Sequence, residues 1–174
     1  MNECVRQRDF KPSAVKETLN QWIAGEVERA TASVTQSIVD YKFNDAANAA
    51  YEFTWGTFCD WYLELAKPVF AGDNETAKAE TRATTAWVLD QILKMLHPFM
   101  PFITEELWGR MVEVGEQRQS LLCLSNWPEW PGLAKPSADE EIGWLVSLIS
   151  QVRSVRSEMN VPAGAKVPLL IVGA

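Results

Sequence analysis

Apolar residues recur every three or four positions through most of this chain, the spacing that places them along one face of an α-helix. The stripes are interrupted by short polar or proline-containing segments, which separate one helix from the next. The pattern predicts five helices, over residues 13–41, 44–68, 75–96, 105–114 and 137–159.

Prolines and capping residues set the predicted helix ends. Pro68 is predicted to end the second helix, because a proline lacks the backbone N–H and clashes with the preceding turn. The prolines at 98 and 101 predict a tight corner after the third helix, with Thr104 as the N-cap of the fourth. Residues 137–140, Ser-Ala-Asp-Glu, fit a capping box and predict the start of the fifth helix.

Two short apolar runs do not fit the helical pattern. Residues 121–124 are too few for a helix and are predicted to be extended, and residues 167–172 predict a buried strand. We therefore expect an all-α fold, an up-and-down bundle of four to five helices with a short β element at its C-terminal end.

The expected domain organisation has three parts. Residues 1–12 are the tail of a preceding helix or a linker, residues 13–159 the bundle, and residues 160–174 the start of a truncated small α/β subdomain, because a lone strand leaves its backbone groups unpaired.

Composition narrows the class of protein. Apolar residues make up 47% of the 174, which predicts a folded globular chain. No apolar run approaches the roughly 20 residues that cross a bilayer, so no membrane association is expected. The three cysteines, at 4, 59 and 123, are widely spaced and form no disulfide framework, which favours a reducing, cytoplasmic location.

The net charge of −7 argues against a broad nucleic-acid-binding surface, but the charge is unevenly distributed. Residues 1–12 hold three cations against two carboxylates, and residues 151–174 hold three cations against one. The segment between them carries the acidic excess. Any contact with phosphate would therefore be local.

Side chains suited to catalysis or metal binding are sparse. His97 is the one histidine, and we interpret it as a helix-terminal side chain bonded to backbone carbonyls. Asp60 and Glu64 lie one helical turn apart and could divide acid and base roles, but they flank core residues and are more simply the polar edge of a helix. No pair of Cys or His has zinc-ligand spacing, and no glycine-rich phosphate loop occurs. We predict no catalytic residue, no metal site and no cofactor in this chain.

The candidate nucleic-acid contacts lie in the two basic segments. Arg153 and Arg156 share a helix face with Lys166 nearby, a set that suits phosphate oxygens, although a solvated helix face explains it equally well. In the first segment, Phe10 lies between Arg8 and Lys11 and could stack on a base beside a cation. The remaining candidate is Arg6.

Several unusual strings occur in one order along the chain. They are YKFNDAA at 41–47, FCDWYLELAKP at 58–68, HPFMPFITEELW at 97–108, WP at 127–128 and RSEMNVP at 156–162. The corner string resembles the anticodon-binding helical domain of class I aminoacyl-tRNA synthetases, and the CDWYLE string narrows the resemblance to the valyl-tRNA synthetases. The related isoleucine and leucine enzymes share the corner but not that string.

The resemblance implies a domain that binds the anticodon arm of a valine-accepting tRNA. It also implies a parent enzyme with a catalytic domain that uses ATP and packs against this domain as an intramolecular partner. The HIGH-like and KMSKS-like signatures of that catalytic domain do not occur in this chain. Two alternatives of other classes remain: a protein–protein interaction bundle with no RNA role, which the acidic middle favours, and a small acid–base enzyme using Asp60 and Glu64.

Overall fold

Helices form nearly all the regular structure in the computed structural model, which describes residues 9–111, 120–162 and 164–170. The α-helices are α1 (Thr18–Val39), α2 (Phe43–Glu52), α3 (Leu63–Ala71), α4 (Glu75–Leu96), α5 (Pro101–Arg110) and α6 (Pro136–Glu158). A π-helical segment, Phe53–Tyr62, joins α2 to α3, and 3-10 turns occur at Pro12–Ala14 and Leu122–Leu124. The predicted all-α fold is confirmed.

The described residues fall into two compact units, Met1–Ile142 and Gly143–Ala174. In the first unit two sets of contacts show that α1 and α4 run in the same direction. Asn20 near the start of α1 bonds to Thr81 in the first half of α4 (Nδ2 to Oγ1, 3.1 Å). Further along, one loop bonds to both helices, with Trp127 Nε1 donating to Thr35 Oγ1 of α1 (2.8 Å) and Trp130 Nε1 to Gln91 Oε1 of α4 (2.9 Å). The segment α2–α3 runs back between them, giving the up-and-down arrangement. The predicted division at residues 12 and 159 stays a prediction.

The core of the bundle is built from the predicted stripes of α1 and α4. Ile23, Val27 and Val34 of α1 and Val88 and Met95 of α4 are almost completely inaccessible to solvent. Helix α4 begins and ends where predicted, since the side chain of Asn74 accepts bonds from the first backbone N–H groups of the helix.

A polar network, partly exposed at Glu80 and buried at Asn20 and Tyr62, ties the starts of α1 and α4 together. The Glu80 carboxylate accepts the backbone N–H groups of Lys16 (3.0 Å) and Glu17 (2.9 Å) and the amide of Asn20 (2.9 Å). The Tyr62 hydroxyl donates to Asn20 Oδ1 at 3.0 Å and lies 3.2 Å from Thr85 Oγ1. Glu17, the N-cap residue of α1, makes no side-chain cap of its own. The Glu80 carboxylate, from α4, instead bonds the backbone N–H groups at the start of α1.

The second helical segment departs from the prediction in two ways. It does not end at Pro68, which lies inside α3 on an exposed face of the helix. Its middle is π-helical, with wider turns than the predicted periodicity assumes. Regular helical spacing over residues 44–68 places Trp55 on the apolar face of the predicted helix. In the structure Trp55 is instead 54% exposed, whereas Phe53 is buried.

The proline corner forms, but its helix starts earlier than predicted. Pro101 is the first residue of α5, a position where the missing N–H costs no hydrogen bond. Thr104 is therefore inside the helix and not its N-cap; its hydroxyl donates to the carbonyl of Met100 at 2.9 Å. His97 Nδ1 lies 2.8 Å from that hydroxyl, so its partner is a side chain and not the predicted backbone carbonyl.

The Glu28 carboxylate of α1 binds the backbone of a loop between α5 and α6. Glu28 accepts the backbone N–H groups of Gly132 (2.8 Å), Leu133 (2.7 Å) and Ala134 (2.8 Å). Burial would raise the pKa of the Glu28 carboxyl, but these three bonds and the neighbouring Arg29 outweigh it and hold the pKa below its usual value.

The predicted β elements are not found. Residues 122–124 form a 3-10 turn, with the Glu105 carboxylate accepting the backbone N–H of Leu122 at 2.7 Å. Among residues 164–170 no strand occurs, and Leu170 is 84% exposed, not buried. A strand needs a partner for its backbone groups, and none of the described residues supplies one. Residues 171 and 172 of the predicted strand lie outside the described residues.

Candidate nucleic-acid interface

Three of the predicted phosphate contacts lie in the unit Gly143–Ala174. Arg153 and Arg156 are one turn apart on the last part of α6, and Lys166 is exposed in the segment that follows. Asn160 ends the helix in the left-handed region (φ 53°), with the N–H of Val161 bonded to the carbonyl of Arg156 at 2.9 Å. This geometry turns the chain back towards the helix it has just left.

Arg156 makes its described bonds to the chain's own backbone. Its Nη2 donates to the carbonyls of Pro162 (2.9 Å) and Ala165 (3.0 Å). The arginine thus fixes the turn that carries Lys166, a role that the spacing of charged residues did not reveal. The apolar spacing of the helix predicted over 137–159 places Val152 and Val155 in the core. In the structure Val155 is 53% exposed and Val152 is partly buried.

The second group of candidates belongs to the start of the chain. Arg6 and Arg8 lie outside the described residues. Lys11 is exposed immediately before the first 3-10 turn. Phe10 is half-buried, with its ring centroid 5.9 Å from that of Trp87. Because part of the Phe10 ring packs against Trp87, the ring is not the fully exposed platform that stacking on a base requires. We interpret Phe10 mainly as a packing residue.

Phe10 and Lys11 border an open groove of about 410 Å³ at the starts of α1 and α4. Thr76 and the Glu80 carboxylate lie on its other side. Glu80 is already bonded to the backbone that leads into α1, and the Asp9 carboxylate also lines the groove beside Lys11. A phosphate or a polar base edge would therefore meet a single cation next to two carboxylates and not a basic field.

Sequence comparison decides the family. A family model described as "Anticodon-binding domain of tRNA ligase" matches residues 20–171. The chain belongs to this family. Over its full length the chain is 54% identical to the valine--tRNA ligases of Caulobacter vibrioides and Mesorhizobium japonicum, and 53% identical to that of Rhizobium meliloti. The predicted resemblance to the anticodon-binding domain of the valine enzymes is confirmed.

The match covers a small part of each relative. The chain spans 19% of the length of the Caulobacter and Mesorhizobium proteins and 18% of the Rhizobium protein. The similarity therefore assigns this chain to the anticodon-binding domain family. The reaction named for the relatives is that of the longer proteins.

The side chains considered for acid–base chemistry do not form an enclosed site in this anticodon-binding domain. Asp60 and Glu64 are both exposed, and Glu64 pairs with Lys67 at 2.6 Å. Their exposure fits the polar edge of a helix, and an open helix face does not enclose a substrate between an acid and a base. Burial, together with the Asp60 carboxylate, raises the pKa of the Cys59 thiol, which keeps it protonated.

Neither a metal centre nor a membrane span emerges from the described parts of the domain. No three His, Cys, Asp or Glu side chains of these residues are arranged to hold an ion. None of the helices described combines the length and apolarity needed to cross a bilayer.

The sequence pattern did not reveal one group of exposed aromatic side chains. Tyr41, in the left-handed region (φ 60°), packs edge-on against Phe43 with ring centroids 6.2 Å apart, and both rings are exposed. Lys42 lies between them and pairs with Asp40 at 3.6 Å. The sequence showed a helix break here, but helical spacing alone could not show that these rings face solvent.

Proposed function

We propose that this chain binds the anticodon arm of a valine-accepting tRNA within a valine–tRNA ligase. The observation that carries the proposal is the family match over residues 20–171 together with 53–54% identity to valine--tRNA ligases across the whole chain. The rigid bundle would position the tRNA so that its acceptor end reaches a catalytic domain outside this chain. That domain would use ATP to esterify valine, in the cytoplasm.

The proposed phosphate contacts are local. Arg153 and Lys166 supply charge at the end of α6, Arg156 fixes the turn that carries Lys166, and Lys11 supplies charge beside the groove. Cations of this kind fix the register of an RNA backbone, whereas base reading in a single-stranded loop needs polar edges or stacked rings. Arg6 and Arg8 remain candidates on their sequence position, with Phe10 as a packing residue beside them.

A related isoleucine or leucine enzyme is the nearest alternative. The similarity to valine--tRNA ligases over all of the chain supports valine. An interaction bundle with no RNA role is the alternative of another class, and the net charge of −7 is the observation in its favour.

The test measures tRNA binding by the full-length synthetase as a function of salt. Arg153→Gln combined with Lys166→Gln should weaken binding of the valine-accepting tRNA. The slope of log affinity against log salt should flatten by roughly 0.7–0.9 for each lost phosphate contact.

Lys42→Gln is the matched control, because Lys42 is exposed, lies in an acidic part of the chain and pairs with Asp40. Its slope should equal that of the unmodified protein. A double variant with an unchanged slope would remove these two cations from the interface. Absence of any salt-dependent tRNA binding by the unmodified enzyme would favour the interaction bundle.

A further inference from the structure

The exposed large apolar side chains of the first unit, Met1–Ile142, are not scattered. In its described part they all belong to residues 39–55 or 100–124, and they are Val39, Tyr41, Phe43, Tyr51, Trp55, Met100, Phe102, Ile103, Leu107, Leu121 and Leu124. Single exposed apolar residues are ordinary, but a concentration of them marks an interaction surface.

Most of these residues lie at one end of the bundle. Since α1 and α4 run in the same direction and have 22 residues each, Val39 and Leu96 finish at the same end, which we call the corner end. The opposite end, with residues 9–17 and 72–80, contains the groove beside Lys11. No large apolar side chain of the residues described at that groove end is exposed.

The apolar side chains of the corner end are densest on α5. Thr104 and Trp108 face the interior, and Phe102 points to solvent, 91% exposed. Ile103 and Leu107, one turn apart, form the flank of this exposed surface and are 52% and 43% exposed. We define the corner patch as Met100, Phe102, Ile103, Leu107, Leu121 and Leu124.

The patch has a rigid support. The His97 ring contacts the Thr104 hydroxyl at 2.8 Å, and Trp108 Nε1 donates to the carbonyl of Ser120 at 3.2 Å. The Glu105 carboxylate accepts the backbone N–H of Leu122, which places Leu121 and Leu124 beside α5. These contacts join separate segments, so the patch is formed before any partner arrives.

The charges on the outer face of α5 favour an apolar partner over a phosphate backbone. Arg110 Nε donates to Glu106 Oε1 at 2.8 Å, so the cation of that face is matched by an anion one turn away. A nucleic acid gains affinity from cations that replace its counterions, and this face has no such excess. Apolar side chains around a compensated ion pair suit a second protein surface.

We propose that the corner patch is the surface on which the catalytic portion of the parent synthetase packs. This rests on the proposed function, and the relatives supply the occupant, because this chain spans only 19% of their length. Interfaces between domains of one chain are modest in area, which a patch of six large side chains suits. The groove end, polar and beside Lys11, is then left facing the RNA.

The test is hydroxyl-radical footprinting of the 174-residue chain and of the full-length synthetase, both without tRNA. Met100 and Phe102 should be oxidised at least several-fold more slowly in the full-length protein. Phe70, half-buried near the groove end, is the internal control and should react at the same rate in both.

A variant pair ties the protection to the patch. Phe102→Ser with Leu107→Ser should lower the melting temperature of the 174-residue chain only slightly, since Phe102 is 91% exposed and Leu107 43% exposed there. In the full-length protein it should raise the Met100 oxidation rate towards that of the isolated chain. The matched control, Tyr51→Ser with Trp55→Ser, replaces exposed rings outside the patch and should leave Met100 protected.

Three results would overturn the proposal. The first is equal oxidation of Met100 and Phe102 in the two proteins. The second is protection of these side chains that appears only after tRNA is added. The third is protection in the isolated chain that increases with protein concentration, which would indicate that a second copy covers the patch. The footprint is measured without tRNA, so failure of tRNA binding would not alter it, and the two proposals fail separately.

Discussion

Replacing Tyr62 with phenylalanine tests the buried network that joins α1, α4 and the π-helical segment. Tyr62 is fully buried, and its hydroxyl donates to Asn20 Oδ1 at 3.0 Å. In Tyr62→Phe this oxygen loses its donor, whereas the Thr85 hydroxyl keeps its 2.7 Å bond to the carbonyl of Thr81. One buried acceptor is therefore left unsatisfied.

The expected cost follows from that single acceptor. An unsatisfied buried polar group lowers the free energy of unfolding by about 1–3 kcal/mol. For a chain of this size each kcal/mol moves the melting temperature by about 2–4 °C, so the midpoint should fall by roughly 2–12 °C. Urea unfolding followed by tryptophan fluorescence measures the same difference at constant temperature, and an unchanged m-value would show that the loss lies in the folded state.

Tyr51→Phe is the matched control, because the side chain of Tyr51 is 59% exposed. It should change the unfolding free energy by no more than about 0.5 kcal/mol. A double-mutant cycle with Asn20→Ala then isolates the bond, with an expected coupling above about 0.5 kcal/mol. Equal losses in the two tyrosine variants, or no coupling to Asn20, would refute the reasoning.

Three further predictions concern the loop on α1, the glycines and the helix end. Glu28→Gln should destabilise the fold near neutral pH. The pKa of Glu28 is depressed in the folded state, so the extra stability that glutamate gives over glutamine should be present above about pH 4–5 and disappear as the pH falls through that folded pKa. Urea unfolding of both proteins at a series of pH values measures the difference. Gly25→Ala should lower the melting temperature, because the added Cβ would lie 3.1 Å from the backbone of the facing loop, whereas Gly109→Ala, with nothing within 4 Å, should raise it or leave it unchanged. Arg156→Ala should speed amide hydrogen exchange in the 164–166 turn, because it removes the bonds to the carbonyls of Pro162 and Ala165.

The parts of the fold that depend on local sequence were predictable. Helix α4 has the predicted bounds because its cap, Asn74, and its apolar stripe are both local signals. The predicted start of α5, residue 105, lies four residues after the observed start at Pro101, because a proline serves equally to stop a helix or to begin one. The π-helical segment could not be predicted from a periodicity of 3.6, and so the exposure of Trp55 was missed.

The candidate interface was less predictable than the fold. A spacing of three residues correctly places Arg153 and Arg156 one turn apart, but it carries no information about what each guanidinium contacts. Arg156 bonds to carbonyls six and nine residues later, and Phe10 packs on a tryptophan 77 positions away. Such contacts depend on how the chain turns back on itself, so only the coordinates separate a positioning side chain from one exposed to RNA.

The structure also weakens the objection that an acidic chain is a poor partner for RNA. Three of its carboxylates act inside the protein: Glu80 accepts backbone N–H groups at the start of α1, Glu28 those of a distant loop, and Glu105 those of the 3-10 turn. Asp139 is engaged similarly, by Arg29 at 2.9 Å. The net charge of −7 counts all of these groups, although each faces donors that offset its field.

What a phosphate senses is the charge within about one Debye length, roughly 8 Å at physiological salt. Around Lys166 the chain is locally basic, since residues 151–174 hold three cations and one carboxylate. Under the proposed function a few correctly placed cations would then be sufficient, because the rest of the parent synthetase would share the binding of the tRNA. On this argument the total charge of a domain is a poor guide to its RNA contacts when the fold itself uses carboxylates as helix and loop caps.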